Sequence, residues 1–213
     1  MPLWPFLLAL IGLTVVALLF LALRPEATRG PGGKVFAFLL IFLAPVLALY
    51  GGSTAHLERS KTTSFCLSCH AMEPYGKSLL VDDEEYLPAA HFQNNRVPRD
   101  HACFTCHTDY VMFGDVRAKM RGLKHVMVNY FGTIPDTIRL YNAYNNRECL
   151  HCHLGARAFE ASSGHQDEEA PLSDLKSGKV SCLTPGCHDV AHSVHGLEDA
   201  TFWKPLPVAE PVH

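Results

Sequence analysis

The chain has 213 residues, of which 48% are hydrophobic, and a formal net charge of −3 at neutral pH. This length allows one or two domains. Residues 52–213 hold 15 of the 18 Lys and Arg residues but 20 of the 21 Asp and Glu residues, so this part is acidic, which argues against a nucleic-acid partner.

Two uncharged stretches near the N-terminus predict a membrane anchor over residues 1–55. Leu3 to Leu23 is uncharged over 21 residues, and a helix of that length measures about 31 Å, enough to cross the hydrocarbon core of a bilayer. Val35 to Ala55 is the second stretch, and Pro45 is expected to kink it. A signal peptide is the alternative for the first stretch, but that stretch lacks a basic n-region and is too long. The predicted helices therefore cover about 3–23 and 35–55.

The charged residues of the connector 24–34 predict the topology. Arg24, Arg29 and Lys34 outnumber Glu26. Basic residues favour the cytoplasmic side of a membrane, so the connector should be cytoplasmic and both ends of the chain should lie outside.

All eight cysteines fall into four haem-attachment signatures. They read Cys66-Leu67-Ser68-Cys69-His70, Cys103-Phe104-Thr105-Cys106-His107, Cys149-Leu150-His151-Cys152-His153 and, with a longer spacer, Cys182-Leu183-Thr184-Pro185-Gly186-Cys187-His188. In a c-type site the two thiols bond to the porphyrin and the adjacent His ligates the iron. Structural zinc is the alternative, but it usually takes four ligands from two paired Cys-x-x-Cys elements. Four signatures that use every cysteine predict four covalently bound haem c groups.

The haems predict the location and the fold class. Because c-type haems are attached on the periplasmic side in bacteria, we expect a cytoplasmic-membrane protein whose haem domain faces the periplasm. Residues 56–196 should form this tetrahaem domain, mainly α-helical with little regular sheet. About 160 residues that hold four porphyrins cannot build a large side-chain core, so the core should be built on the haems and the apoprotein should fold poorly. Residues 197–213 are a Pro-rich tail.

The clearest helix prediction covers Gly114 to Phe131. Its apolar stripe recurs at helical spacing and consists of Val116, Met120, Leu123, Met127 and Tyr130. Its basic edge, on another face, consists of Arg117, Arg121 and Lys124. This helix either packs as an ordinary amphipathic helix or turns its basic edge towards lipid headgroups. Thr137 to Asn146 is a second helix candidate.

Candidate distal ligands outnumber the four irons. Nine histidines lie outside the attachment positions: His56, His91, His101, His125, His151, His165, His192, His195 and His213. His151 lies inside an attachment loop and is poorly aimed, while His56 and His213 are expected at the surface. Met72 places a thioether beside the first haem, and Met ligation raises a haem potential. The count permits histidine on both sides of each iron without assigning the pairs.

The anchor, the four signatures and the segment Cys69-His70-Ala71-Met72 together resemble the NapC/NirT family of tetrahaem quinol dehydrogenases. This family includes the small subunit of the cytochrome c nitrite reductase complex. Residues 90–94, 119–125 and 175–179 also resemble family segments, and the resemblance covers roughly 36–195. It implies a chain that takes electrons from menaquinol or ubiquinol and passes them to a periplasmic reductase, with nitrite reductase as the first expectation, inside a hetero-oligomer.

The same resemblance implies roles for individual residues. Met72 would ligate the first haem, and the distal ligands of the other haems would be His91, His165 and His192, with His101 and His195 in reserve. Lys119, Asp115 and His125 would lie at the quinol site, where loss of two electrons and two protons requires titratable groups. His125 stands where nitrite reductase small subunits place an Asp on the free face of the first haem, so His125 is also a candidate ligand there.

The chain departs from the family pattern at three places. It has two predicted membrane helices, where the family usually has one. Thr108-Asp109-Tyr110 follows the second signature, where many relatives have Pro and often His. The fourth signature has a four-residue spacer between its cysteines. The extra helix favours a second hypothesis, an electron-relay subunit of a larger respiratory complex without a quinol site. A haem-based sensor finds no support, because no output domain is visible.

Overall fold

The computed structural model describes residues 4–136, 138, 144–188 and 192–203. The chain divides into two compact units, Met1–Ser60 and Lys61–His213. Each unit is described by itself below. The assignment of residues 1–55 to a membrane anchor, 56–196 to a haem domain and 197–213 to a tail stays a prediction.

The first unit consists of apolar helices. Helix α1 covers Trp4–Leu23, and a 3-10 turn covers Pro25–Thr28. A second, continuous helix runs over Pro31–Arg59 and, among the described residues, is the one helix long and apolar enough to cross a membrane. It starts earlier than the predicted 35–55 because Pro31 occupies its first position, where proline is favoured. A second membrane span in α1 stays a prediction.

The long helix contains an irregular turn beside Pro45. It is built from α2 (Pro31–Phe38), a π-helical turn (Leu39–Leu43) and α3 (Ala44–Arg59). Pro45 has no N–H to donate and its ring crowds the preceding turn of a regular α-helix. The wider π turn directly before it relieves this crowding.

The second unit consists of short helices joined by turns. They are α4 (Thr63–Leu67), α5 (Glu73–Ser78), α6 (Leu87–Gln93), α7 (Ala102–Cys106), α8 (Gly114–Phe131), α9 (Asn146–His153), α10 (Arg157–Glu160) and α11 (Leu172–Ser177). Over the residues that the structure describes, the only β pairing is an isolated antiparallel bridge between Val81 and Phe202. The prediction of a mainly helical fold with little sheet is confirmed.

Helix α8 has the bounds that the sequence predicts. Its start is fixed by Gly114, since a Cβ there would lie 1.5 Å from the carbonyl oxygen of Asp109. Asp115 in the first turn favours the positive end of the helix dipole. The second predicted helix, residues 137–146, lies mostly outside the described residues. Asn145 and Asn146 belong instead to the start of α9, where the Asn145 side chain accepts a hydrogen bond from the backbone N–H of Arg147.

The side-chain core of the second unit is small. Its central cluster contains Leu150, Phe159 and Leu175. Of the eight buried hydrophobic residues in the described part of the chain, seven lie in this unit, and two of them are alanines. Side chains alone therefore bury little apolar surface here.

Asn146 connects this cluster to the fourth signature. Its buried amide Nδ2 donates to the carbonyls of Leu175 at 2.8 Å and Val180 at 2.7 Å, and its Oδ1 accepts from the backbone N–H of Cys182 at 2.9 Å. One side chain thus satisfies three backbone groups on two other segments.

We expect Asn146→Ala to lower the free energy of unfolding by about 2–4 kcal/mol, because it removes three hydrogen bonds and leaves the Val180 carbonyl and the Cys182 N–H without these partners. The Leu175 carbonyl keeps the bond that it accepts from the N–H of Gly178 at 3.2 Å. Denaturant titration of the haem-loaded protein measures this. Asn94→Ala is the matched control, since Asn94 is exposed and makes one local bond to Ala90. Equal losses in the two variants would contradict the bridging role of Asn146.

Candidate functional site

Three of the four attachment signatures are carried by short helical segments. The first runs from α4 into the 3-10 turn His70–Met72, the second lies in α7 and its C-cap, and the third lies in α9. On a helix, cysteines three residues apart share a face. The fourth signature, with its longer spacer, folds as turns, and the N–H of His188 returns to the carbonyl of Cys182 at 3.2 Å.

The first cysteines of the signatures lie near one another in two pairs. Cys66 is close enough to Cys103, and Cys149 close enough to Cys182, for each thiol to shift the pKa of the other. The first signature therefore adjoins the second, and the third adjoins the fourth.

Each of the last three attachment histidines faces one further histidine. The ring centroids are 6.1 Å apart for His107 and His192, 6.1 Å for His153 and His91, and 6.3 Å for His188 and His165. A metal held between two imidazoles, with metal–nitrogen bonds of about 2 Å and about 1 Å from each nitrogen to its ring centre, separates the centroids by about 6 Å. The three pairs thus fit one iron each.

The three distal histidines are held through their Nδ1 atoms. Nδ1 of His91 lies 2.8 Å from the carbonyl of Leu87, and Nδ1 of His165 lies 2.8 Å from the carbonyl of Phe159. A carbonyl only accepts, so these Nδ1 atoms carry the proton and each Nε2 keeps its lone pair. A metal-binding imidazole commonly has its second nitrogen fixed in this way.

His192 follows the same rule through a hydroxyl. Its Nδ1 lies 2.9 Å from Oγ of the fully buried Ser78, whose own proton is donated to the carbonyl of Tyr75 at 2.7 Å. The hydroxyl oxygen therefore accepts from His192. Burial lowers the pKa of His192 to about 4 and lowers that of His107 as well, so both rings are neutral at neutral pH, the form that binds metal.

The donor set suits haem better than structural zinc. Within residues 4–136, 138, 144–188 and 192–203, no three His, Cys, Asp or Glu side chains form a metal-binding group. Histidines arranged in twos, each including an attachment histidine, match the two axial positions of a haem iron.

The first signature differs from the others. The His70 side chain is fully exposed and lies 3.7 Å from Glu73. In the described part of the chain no second imidazole pairs with it, and Met72 lies in the same 3-10 turn. Ligation by Met72 stays a prediction.

The remaining histidines lie elsewhere. His101 faces Asp100 at 3.0 Å on the surface, and His151 stacks on Tyr110 with a centroid distance of 3.7 Å. His195 lines a shallow pocket beside Tyr86. The structure thus brings the three preferred distal histidines to attachment histidines, while both reserves have other neighbours.

A charged cluster adjoins the first two signatures. Lys61 Nζ lies 2.6 Å from Oδ2 of Asp115, and the hydroxyl of Thr108 donates to Oδ1 at 3.2 Å. Lys119 Nζ lies 4.6 Å from the ring centre of Phe104 and 5.9 Å from that of Phe65, the residue before Cys66. The structure brings Asp115 and Lys119 together, as expected for two residues four apart on α8.

The surroundings within this cluster shift the pKa values of Asp115 and Lys119. The hydrogen bond from Lys61 lowers the pKa of Asp115, which keeps the carboxylate ionised. Burial lowers the pKa of Lys119, which makes its neutral form more accessible.

His125 does not belong to this cluster. It lies six residues after Lys119, which is about 120° around the helix. It is close enough to His107 that its charge contributes to lowering the pKa of His107. Its place at the first haem stays a prediction.

Two residues that sequence reasoning missed complete these sites. Ser78 holds His192 from 114 residues away, and nothing in the sequence indicates that contact. Lys61 holds Asp115, and its place shortly after the second apolar stretch is the one sequence signal that points to it.

Signatures that use every cysteine, together with histidine pairs at iron-bridging distance, define a c-type cytochrome of electron transport with an N-terminal apolar helix. A family model for the NapC/NirT cytochrome c family, N-terminal region, matches residues 32–197. The chain therefore belongs to the NapC/NirT cytochrome c family.

Individual relatives agree with this assignment. Cytochrome c-type protein NapC of Escherichia coli K12 is 27% identical over 181 residues, covering 76% of this chain and 83% of the relative. Denitrification system component NirT of Stutzerimonas stutzeri is 26% identical, covering 82% and 88%. Cytochrome c-type protein TorC of Escherichia coli K12 is 25% identical, covering 79% of this chain but 45% of the relative. No solved structure matches the chain.

We expect Lys61→Met to lower the free energy of unfolding by about 1 kcal/mol at pH 7, a modest value because water screens the half-exposed Asp115. A carboxylate with a lowered folded-state pKa stabilises the fold above the ordinary Asp pKa of about 4, and this contribution is lost as the pH falls through the lowered value. The difference between the variant and the native chain should therefore shrink below about pH 4.

Thermal melts from pH 7 to pH 3 measure this difference. Lys77→Met is the control, because Lys77 pairs with Glu73 at 2.7 Å but is 39% exposed, against 13% for Lys61. A Lys61→Met difference that is constant with pH would contradict the ion pair.

Proposed function

We propose that this protein is a membrane-anchored tetrahaem cytochrome c that takes electrons from membrane quinol and passes them to a periplasmic reductase. The observation that carries the proposal is the set of three histidine pairs, each linking an attachment histidine to a distal one at about 6 Å, a spacing that suits an iron between two nitrogen ligands. Membership of the NapC/NirT family supports it.

Four haem c groups would be held as follows. The thiol pairs would be Cys66/Cys69, Cys103/Cys106, Cys149/Cys152 and Cys182/Cys187. The residues that would hold the last three irons are His107 with His192, His153 with His91 and His188 with His165, and His70 and Met72 are the candidate ligands of the first iron. Haem c supplies one-electron transfer when bound. The contacts between cysteines of signatures one and two, and of three and four, favour electron movement in sequence order.

Quinol would be oxidised at the cluster of Lys61, Asp115 and Lys119. The Asp115 carboxylate, kept ionised by Lys61, would accept a hydrogen bond from a quinol hydroxyl and orient it. Lys119, in the neutral form that its lowered pKa makes more accessible, would accept one of the two quinol protons. The second proton would pass to water, and the two electrons would leave one at a time to the haem groups. The rings of Phe65 and Phe104 would provide the apolar wall that a quinol head group needs.

The layout of the chain follows from its anchor. Residues 1–55 would anchor the haem domain, 56–196, on the periplasmic face, with the connector 24–34 in the cytoplasm. The donor would be menaquinol or ubiquinol. Cytochrome c nitrite reductase is the first acceptor to test, in a hetero-oligomer with this chain.

A second candidate is an electron relay without a quinol site, inside a larger respiratory complex. Helix α1 favours it, because a single anchor needs only the helix Pro31–Arg59 and an additional apolar helix suits assembly with membrane subunits.

We expect His91→Ala, His165→Ala and His192→Ala each to convert one haem from low spin to high spin, because each removes one axial nitrogen. Electron paramagnetic resonance and visible spectra of the purified proteins measure the conversion. His101→Ala should leave every haem low spin. Conversion by His101→Ala, with an unchanged spectrum for His192→Ala, would overturn the assignment.

We expect Lys119→Met to slow quinol-driven haem reduction by about 10- to 100-fold, the range typical of a lost proton acceptor. Dithionite should still reduce all four haems. Stopped-flow reduction by a soluble menaquinol analogue measures the rate.

His125→Gln is the matched comparison on the same helix. Because His125 points away from the cluster, we expect its quinol-driven rate to stay close to that of the native chain. Native rates in both variants would remove α8 from the quinol site and favour the relay.

A further inference from the structure

Helix α8 exposes its apolar stripe instead of burying it. The exposed fractions are 61% for Met120, 51% for Met127 and 74% for Tyr130, and Phe131 at the end of the helix is 82% exposed. Val116 and Leu123 of the same stripe are also exposed. The helix packs through the opposite side instead, where Gly114 is buried and Ala118 and His125 are partly buried. A contiguous exposed apolar surface of this kind marks a contact with a membrane or another protein.

Positive charge borders this stripe. The basic edge, Arg117, Arg121 and Lys124, runs along one side, and all three residues are exposed. Arg117 lies 3.4 Å from the buried Asp109 yet remains 61% exposed. The one acidic residue of α8 is Asp115, and Lys61 pairs with it. Outside the helix, Asp109 and Glu148 lie beside Arg117 and Arg121, and both of these basic residues remain exposed.

The start of α8 is tied to a residue close to the membrane-length helix in the chain. Lys61, the partner of Asp115 at 2.6 Å, follows Arg59, the last residue of that helix, by two positions. Two residues of chain span at most about 7 Å. The residue that pairs with the first turn of α8 thus follows the apolar helix closely in the sequence.

We propose that α8 lies on the lipid surface as an interfacial helix. Its apolar stripe would enter the boundary between headgroups and acyl chains, and its basic edge would contact anionic headgroups. A single convex helix face suits a fluid surface, and an apolar stripe bordered by basic residues is the pattern that such helices use. This proposal rests on the membrane anchoring of the chain but not on quinol oxidation.

Site-directed spin labelling of the full haem-loaded chain tests this placement. The eight native cysteines are taken by haem, so Met127→Cys supplies the one reactive thiol. The labelled protein is placed in vesicles of phosphatidylcholine and phosphatidylglycerol, and collisions with oxygen, which partitions into lipid, are compared with collisions with a water-soluble nickel chelate. Arg121→Cys, on the basic edge of the same helix, is the matched control.

We expect the ratio of oxygen to nickel collisions to be several-fold higher at residue 127 than at residue 121, and the difference to shrink in vesicles of phosphatidylcholine alone. Equal ratios at the two positions would place the stripe in water and overturn the proposal. Protection of residue 127 from both reagents would show a protein contact and would overturn it as well. The haem absorbance of both variants shows whether all four haems are bound and the protein is folded. Quinol kinetics are measured separately, so a native rate leaves the quinol proposal standing whichever result the spin labels give.

Discussion

The structure depends on a spacing constraint between imidazoles. Three attachment histidines each face a distal histidine at about 6 Å, the separation that a metal with two nitrogen ligands imposes. Two of these pairs join positions 62 and 85 residues apart in the chain, His91 with His153 and His107 with His192. The apolar cluster of the second unit is small and centres on Leu150, Phe159 and Leu175. When metal binding joins distant segments in this way, its free energy becomes folding free energy, so haem attachment at the proposed sites would be coupled to folding.

The same constraint explains which parts of the site the sequence predicts. Attachment signatures are local, because a thiol pair and its histidine lie within a few residues, and the bounds of α8 follow from a helical period. Distal ligands are non-local, so counting histidines leaves nine candidates, and the resemblance to a family narrows them without pairing them. Only the three-dimensional arrangement pairs His192 with the second signature. It also shows Ser78, a residue with no distinguishing sequence feature, accepting the hydrogen bond that orients that ring.

Helix geometry also separates residues that a sequence segment groups together. Asp115, Lys119 and His125 lie on one helix within eleven residues, and the family resemblance assigns them to one site. Residues four apart share a face, whereas residues six apart point about 120° away from each other, so Asp115 and Lys119 meet and His125 lies towards His107. Lys61 joins the pair from outside the segment. The two residues of the pair differ in which protonation state the site favours. Its hydrogen bond stabilises the Asp115 carboxylate, while burial beside Phe104 and Phe65 destabilises the charged form of Lys119.

Helix α8 therefore has three faces with different chemistry. One packs inward and carries His125, one joins Lys61 through Asp115, and the third carries the exposed apolar stripe with its basic edge. Quinol is confined to the lipid phase, so a site that oxidises it must be reachable from the membrane while its protons leave to water. A helix that lies at the lipid surface meets both demands, since Lys119 then sits at the margin between the apolar stripe and the charged cluster. Moving Arg or Lys below the headgroups costs desolvation free energy, and moving the apolar stripe into water costs hydrophobic free energy. The two costs together would keep the helix, and Lys119 with it, at a constant depth in the membrane surface.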